Sequence, residues 1–209
     1  MTFAEMKTSV RRQLDESGTV FYADDDIEDA INDGYAEMAD VTEFFERQAN
    51  IPILKKRTYF DLSTILTDTF LSPRRVYDPT ASRWLEPTDT NEMDRHSYRQ
   101  WELTEGTPVK MLMRGNWWFG VWPKDTTNHY RPVRMYYTSI PDALTDDDEE
   151  PQFDREFHPG LVSYALSDLL GQARETKKAL AHWAAFVSHA QRLKDFVEGR
   201  TTLARVNTL

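Results

Sequence analysis

Apolar residues recur at helical spacing at both ends of this 209-residue chain and lose that spacing between roughly residues 51 and 141. A change of period this long excludes an all-helical and an all-β fold. It predicts an α+β protein: a helical bundle made from an N-terminal helix pair and a C-terminal helical hairpin, with a small antiparallel β-rich domain inserted between them. The predicted boundaries are 1–48 for the helix pair and 49–141 for the insertion. Residues 142–198 supply an acidic connector and the hairpin, and 199–209 an extended tail.

The N-terminal pair is read from capping as well as period. Thr2 and Glu5 have the spacing of a capping box, and Phe3, Met6, Val10 and Leu14 follow at steps of three and four. Ser17 and Gly18 are expected to end that helix. The next opens on Asp24, Asp25 and Asp26, whose carboxylates suit the positive end of a helix dipole. Its predicted apolar stripe is Ile27, Ile31, Met38, Val41 and Phe45.

From Ile51 and Pro52 onward, proline, threonine and aromatic residues become frequent. Strands are expected over 57–62, 71–77 and 133–137, with a short helix within 91–105 around Met93, Tyr98 and Trp101. The clearest signal is a hairpin over 109–122, where Gly115 and Asn116 separate two apolar runs. Along its second arm, Trp117, Phe119 and Val121 face one way and Trp118 and Trp122 the other. A strand apolar on both faces must be covered on both, so these aromatics predict a β core or an interface. The alternative is a platform on which sugars or bases stack, and the weak positive balance of this region does little to promote bases.

The connector at 141–150 is acidic and rich in turn formers, and helix returns near Phe157. One stripe holds Leu161, Val162, Leu166, Leu169 and Ala173; a second holds Leu180, Trp183, Val187, Ala190, Leu193 and Val197. The polar stretch at 172–178 predicts a hairpin of two helices. After Gly199 the chain carries Arg200 and Arg205 and no acid, the pattern expected of an extended tail.

Charge follows the same division. Lysine and arginine number 25 against 35 acids, a net −10. Residues 1–48 carry 4 basic and 13 acidic side chains, 49–141 carry 13 and 10, and 142–209 carry 8 and 12. This balance argues against a protein that grips nucleic acid by neutralising phosphates. With no cysteine there is no disulfide, thiolate metal site or cysteine nucleophile. No apolar run approaches the roughly 20 residues of a membrane span, and the charged N-terminus lacks a signal core.

A search for catalytic motifs finds none. The eight glycines assemble no phosphate-binding loop and no nucleophile elbow. His182 and His189 share a helical face without a companion carboxylate, and are expected as surface or interface residues. The run Asp146, Asp147, Asp148, Glu149, Glu150 lacks the alternation and glycine of a calcium loop and is expected as solvated loop. No enzyme, metal or cofactor is therefore expected.

The order of parts resembles that of the head–tail adaptor, or connector, proteins of tailed bacteriophages. The likeness is carried by the stretch from Asp24 through Asn32 to Glu43, Phe44, Phe45, Glu46 and Arg47, and by Asp147 through Pro151 leading to Glu156, Phe157, His158, Pro159, Gly160, Leu161, Val162, Ser163, Tyr164, Ala165 and Leu166. The resemblance implies a non-enzymatic virion protein of the neck, assembled in the host cytoplasm. It implies a ring, commonly a dodecamer, seated under the portal protein and joined to a downstream tail or neck protein. Double-stranded DNA would pass through without sequence-specific binding, and no membrane is involved. Under this resemblance Arg200, Leu203, Arg205, Val206 and Leu209 become a candidate portal-binding tail. The competing reading is a carbohydrate- or surface-binding tail component that uses Trp117, Trp118, Phe119 and Trp122.

Overall fold

The computed structural model describes residues 1–15, 21–66, 69–97, 100–127 and 131–206, with backbone alone at 96–97 and 200–206. The fold is mixed α/β. Five α-helices are described: α1 Phe3–Gln13, α2 Asp24–Thr42, α3 Thr90–Ser97, α4 His158–Gln172 and α5 Thr176–Val206. Seven strands accompany them: β1 Glu46–Ile53, β2 Tyr59–Asp61, β3 Phe70–Asp78, β4 Arg83–Thr88, β5 Lys110–Arg114, β6 Trp118–Trp122 and β7 Arg131–Ser139. The chain forms two compact units: unit 1 is Met1–Phe45 with Ile140–Leu209, and unit 2 is Glu46–Ser139.

In unit 1 the capping box on α1 is formed in both directions. The Glu5 N–H donates to Thr2 Oγ1 at 3.3 Å and the Thr2 N–H to Glu5 Oε2 at 3.0 Å. Phe3, Met6 and Val10 are fully buried, and Leu14 is the C-cap; Ser17 and Gly18, expected to end the helix, lie outside the described residues. The backbone N–H of Ala23 donates to Asp26 Oδ2 at 3.0 Å, so that acid caps α2. The helix stops at Thr42 because Glu43 turns left-handed, at φ +50°. Phe45 is therefore not on the helical stripe expected of it, and Val41 is exposed. Phe44 instead meets Tyr35 and Phe153, with ring centroids 6.3 and 5.1 Å away.

Arg174, at φ +63°, separates α4 from α5. The buried face of α5 carries Ala179, Phe186, Ala190 and Leu193. The expected stripe is only partly this one: Leu180, Trp183 and Val187 point into solvent. Each residue turns an α-helix by about 100°, so two overlapping apolar stripes compete here, and the one through Phe186, Ala190 and Leu193 is buried. The extended tail is also corrected. Helix α5 runs 31 residues through Val206, and the single Gly199 costs only about 1 kcal/mol, too little to end it.

In unit 2 the strands follow the order β1-β7-β3-β4-β5-β6-β2. All pairs are antiparallel except β4 with β5, which is parallel, so the purely antiparallel expectation is corrected. One buried cluster takes Ile51 from β1, Val133 from β7, Val76 from β3, Leu85 from β4, Met111 from β5, Phe119 from β6 and Phe60 from β2. A flat seven-strand sheet would hold its outer strands roughly 29 Å apart at about 4.8 Å per step. Edge strands that share one cluster require the sheet to curl around it. The expected helix within 91–105 is two pieces, α3 and a 3₁₀ turn at Trp101–Leu103, while Tyr98 lies outside the described residues.

Candidate functional site

The β5–β6 hairpin turns through Gly115 at φ +62°, in open space. Phe119 and Val121 enter the main cluster of unit 2 with no exposed surface. On the opposite face Trp122 joins a smaller cluster around Met93, Trp101 and Leu112. Its indole N–H donates to the Trp101 carbonyl at 3.0 Å, and that of Trp101 to Asp94 Oδ1 at 2.9 Å. Gly120 between them leaves room: a Cβ there would sit 2.9 Å from Leu112 Cγ and 3.1 Å from Tyr59 Cδ1. Tyr59 also donates to Glu102 at 3.1 Å, and burial together with that carboxylate pushes its phenol up to about 12. The two faces of this strand are thus covered within unit 2. Only Trp117, whose ring lies 6.0 Å from Phe70, and Trp118 open to solvent, the latter 48% exposed.

A second aromatic group, unforeseen from sequence, lies across β3, β4 and β7 on the face away from the main cluster. Register places Tyr77 opposite Trp84 and Arg134, and Arg75 opposite Tyr136. The Arg75 guanidinium carbon lies 4.9 Å from the Trp84 ring centroid and 4.8 Å from that of Tyr136, a cation over two rings whose centroids are themselves 5.8 Å apart. Trp84 is 48% exposed, and Arg75 and Arg134 face solvent. These residues come from three strands, and only the register brings them together.

Unit 2 also buries an ionic triad. Arg131 Nη1 donates to Asp125 Oδ1 at 3.1 Å and Nη2 to Asp78 Oδ2. Asp78 Oδ1 accepts the N–H groups of Thr80 and Ala81 at 3.0 and 3.1 Å, and Asp125 Oδ2 accepts the Thr127 hydroxyl. All three charged residues are less than 5% exposed. The triad ties the end of β3, the start of β7 and the segment after β6, a structural clamp spread over 53 positions.

In unit 1 the acidic connector is held, not loose. The N–H groups of Phe3 and Ala4, unpaired by the helix they begin, donate to the carbonyls of Glu149 and Asp147 at 2.8 and 3.0 Å. Asn32 exchanges two hydrogen bonds with the Leu144 backbone, at 2.8 and 3.1 Å. Lys7 bridges Asp147 and Glu28, both at 2.7 Å. Glu149 accepts from Thr145 and Asp146, and those two backbone hydrogen bonds hold its carboxyl below the usual range. The run 146–150 is the solvated loop expected, exposed at 146–149, and it is in addition pinned to α1 and α2.

Between α4 and α5 runs an open groove of about 440 Å³, lined by Tyr164, Ser167, Asp168, Gly171, Gln172 and Trp183. The Tyr164 and Trp183 ring centroids are 6.1 Å apart, and nothing stands within 4 Å of where a Gly171 side chain would begin. Burial, then the carboxylates of Glu37, Asp33 and Asp168, raise the Tyr164 phenol. Trp183 and Leu180 beside the groove are 42% and 61% exposed.

His158, named above only as part of the adaptor-like stretch, is fully buried, and its Nε2 lies 3.0 Å from Phe153 O. Its Nδ1 lies 2.8 Å from the Met1 amine and 3.0 Å from the Met1 carbonyl oxygen. His189 packs over Gly160, where a Cβ would come within 2.9 Å of its own. In the candidate tail, Arg200, Leu203, Arg205 and Val206 continue the α5 backbone, and Leu209 lies outside the described residues. Among the described residues no helix is long and apolar enough to cross a membrane.

A family model described as SU10 adaptor protein matches residues 1–208. No curated protein matches the chain.

Proposed function

The chain belongs to the SU10 adaptor protein family, and from that premise we propose that it is a structural adaptor of a bacteriophage neck. In this reading identical copies form a ring under the portal protein, hold the next tail or neck protein, and let double-stranded DNA pass. The family match over nearly the whole chain carries the proposal. Charge supports the DNA part of it: unit 1 holds 11 basic and 24 acidic side chains, a balance of −13. A lumen lined by such a surface repels phosphate and lets DNA slide without sticking. An adaptor works by surfaces that bind, which requires no catalytic centre.

Particle mass in solution and negative-stain imaging with portal rings test the proposal. It predicts rings, formed by the chain alone or on addition of the portal. A stable monomer that ignores the portal refutes it. Portal docking is assigned to the C-terminal residues from Arg200 onward, including Leu203, Arg205, Val206 and Leu209. Deleting 200–209 spares folding and weakens docking; unchanged docking refutes that assignment.

The exposure of Trp118 beside Trp117 favours one second reading, a tail component that stacks sugars on the hairpin end. It predicts a tryptophan fluorescence change with polysaccharide that Trp118→Ala reduces.

A further inference from the structure

Two surfaces left uncovered, one on each unit, have opposite charge and matching chemistry. The first is the Arg75–Arg134 face of unit 2, with Trp84 and Tyr136 against the Arg75 guanidinium and Tyr77 opposite Arg134 in the strand register. The second is the α4–α5 groove of unit 1, walled by Tyr164 and Trp183 and rimmed by Asp168. Asp33 and Glu37 on α2 approach the same tyrosine.

We propose that the arginine–aromatic face of one copy docks into the α4–α5 groove of a second copy of this chain. A guanidinium group is planar, stacks on aromatic rings and pairs with carboxylates, and the groove offers both kinds of partner. The open space over Gly171 gives a long side chain room to enter. Trp84, Tyr136 and Arg75 have the residue types that dominate interface energetics, and their mutual stacking reduces the side-chain entropy lost on binding. Trp183, Leu180 and Val187 then become the apolar surface that the contact removes from water.

Charge selects this pairing over its competitors. Unit 2 carries 14 basic and 11 acidic side chains, a balance of +3, against −13 for unit 1. Unit 1 against unit 1 is repelled, and unit 2 against unit 1 is attracted. The contact joins different faces of successive copies, so it propagates head to tail and closes when the rotation per copy allows. The contact rests on the ring reading and adds to it the residues that make the ring.

The test uses charge reversal in the full chain: Arg134→Glu, Asp168→Arg, and both together. Each variant is followed by mass in solution and negative-stain imaging, with and without portal rings, and tryptophan fluorescence checks folding. Either single reversal is expected to raise the protein concentration for half-assembly about tenfold or more, and the double reversal to restore it. A ring that Arg134→Glu leaves intact overturns this contact and leaves the ring reading standing. Failure of the double variant to assemble better than either single variant also overturns it. A wild-type chain that assembles neither alone nor with portal removes the ring reading, and this contact with it.

Discussion

Replacing Arg131 by methionine tests whether the buried triad holds unit 2 together. Methionine keeps the unbranched stem and its packing but removes the guanidinium. That deletes the hydrogen bonds to Asp78 Oδ2 and Asp125 Oδ1 and strands two carboxylates, one with no exposed surface and the other 1% exposed. Removing one partner of a buried ion pair costs roughly 3–5 kcal/mol, mostly because the remaining charge is left uncompensated. The control is Asp78→Asn. It retains an oxygen for the Thr80 and Ala81 N–H groups and leaves one arginine facing one aspartate, so it is expected to cost roughly 2 kcal/mol less. Urea unfolding followed by tryptophan fluorescence reads unit 2 selectively, because Trp84, Trp101, Trp117, Trp118 and Trp122 lie there and only Trp183 lies in unit 1. With a slope of about 2 kcal/mol per molar urea, Arg131→Met lowers the midpoint by about 2 M. A loss below about 1 kcal/mol, or equal losses for the two variants, refutes the clamp.

Gly120→Ala is expected to destabilise unit 2 by about 1–3 kcal/mol, because the added methyl meets Leu112 and Tyr59 inside a filled sheet face; unfolding by the same fluorescence signal checks it. In unit 1, Gly34→Ala brings a Cβ within 2.9–3.0 Å of Tyr164. The roughly 1 kcal/mol gained in helix propensity is therefore outweighed, and circular dichroism melting should show a net loss. Burial, with the Met1 amine beside Nδ1, holds His158 below the ordinary histidine value of 6.5, and burial does the same for His189. The unfolded chain then binds more protons than the folded one. Stability is held in full above pH 6.5 and is lost as pH falls from there through the lowered folded values. His158→Gln should flatten that decline in melting temperature.

What the chain reveals before folding depends on how local the cause is. The α1 capping box and the Gly115 turn need only residues a few positions apart, and both are seen directly in the sequence. Strand β1 escapes notice because only Ile51 and Ile53 of its eight residues are buried, and their partners lie some 80 residues away on β7. Strand β4 buries Leu85 alone, and its parallel pairing with β5 has no hairpin turn to announce it. On α5 two apolar stripes fit the helical period equally well, and only the packing of α4 chooses between them. The connector is held largely through backbone carbonyls, which every sequence has. The Arg75 face and the Asp78–Arg131–Asp125 triad exist only once the strands are in register, so spacing carries no trace of them.

The pairing of β1 with β7 changes the entropy needed to close unit 1. Unit 1 is discontinuous: 94 residues lie between its two parts. Closing a flexible loop of that length costs entropy that grows as (3/2)RT ln n. Unit 2 is continuous, from Glu46 to Ser139. Once it has folded, Glu46 stands opposite Thr138, and the loop to be closed shrinks to the length of a tight turn. The difference is about 3.4 kcal/mol for a drop from 94 residues to two. The inserted β unit, once folded, thus acts as a splint that keeps the two parts of the helical unit's chain within reach of each other.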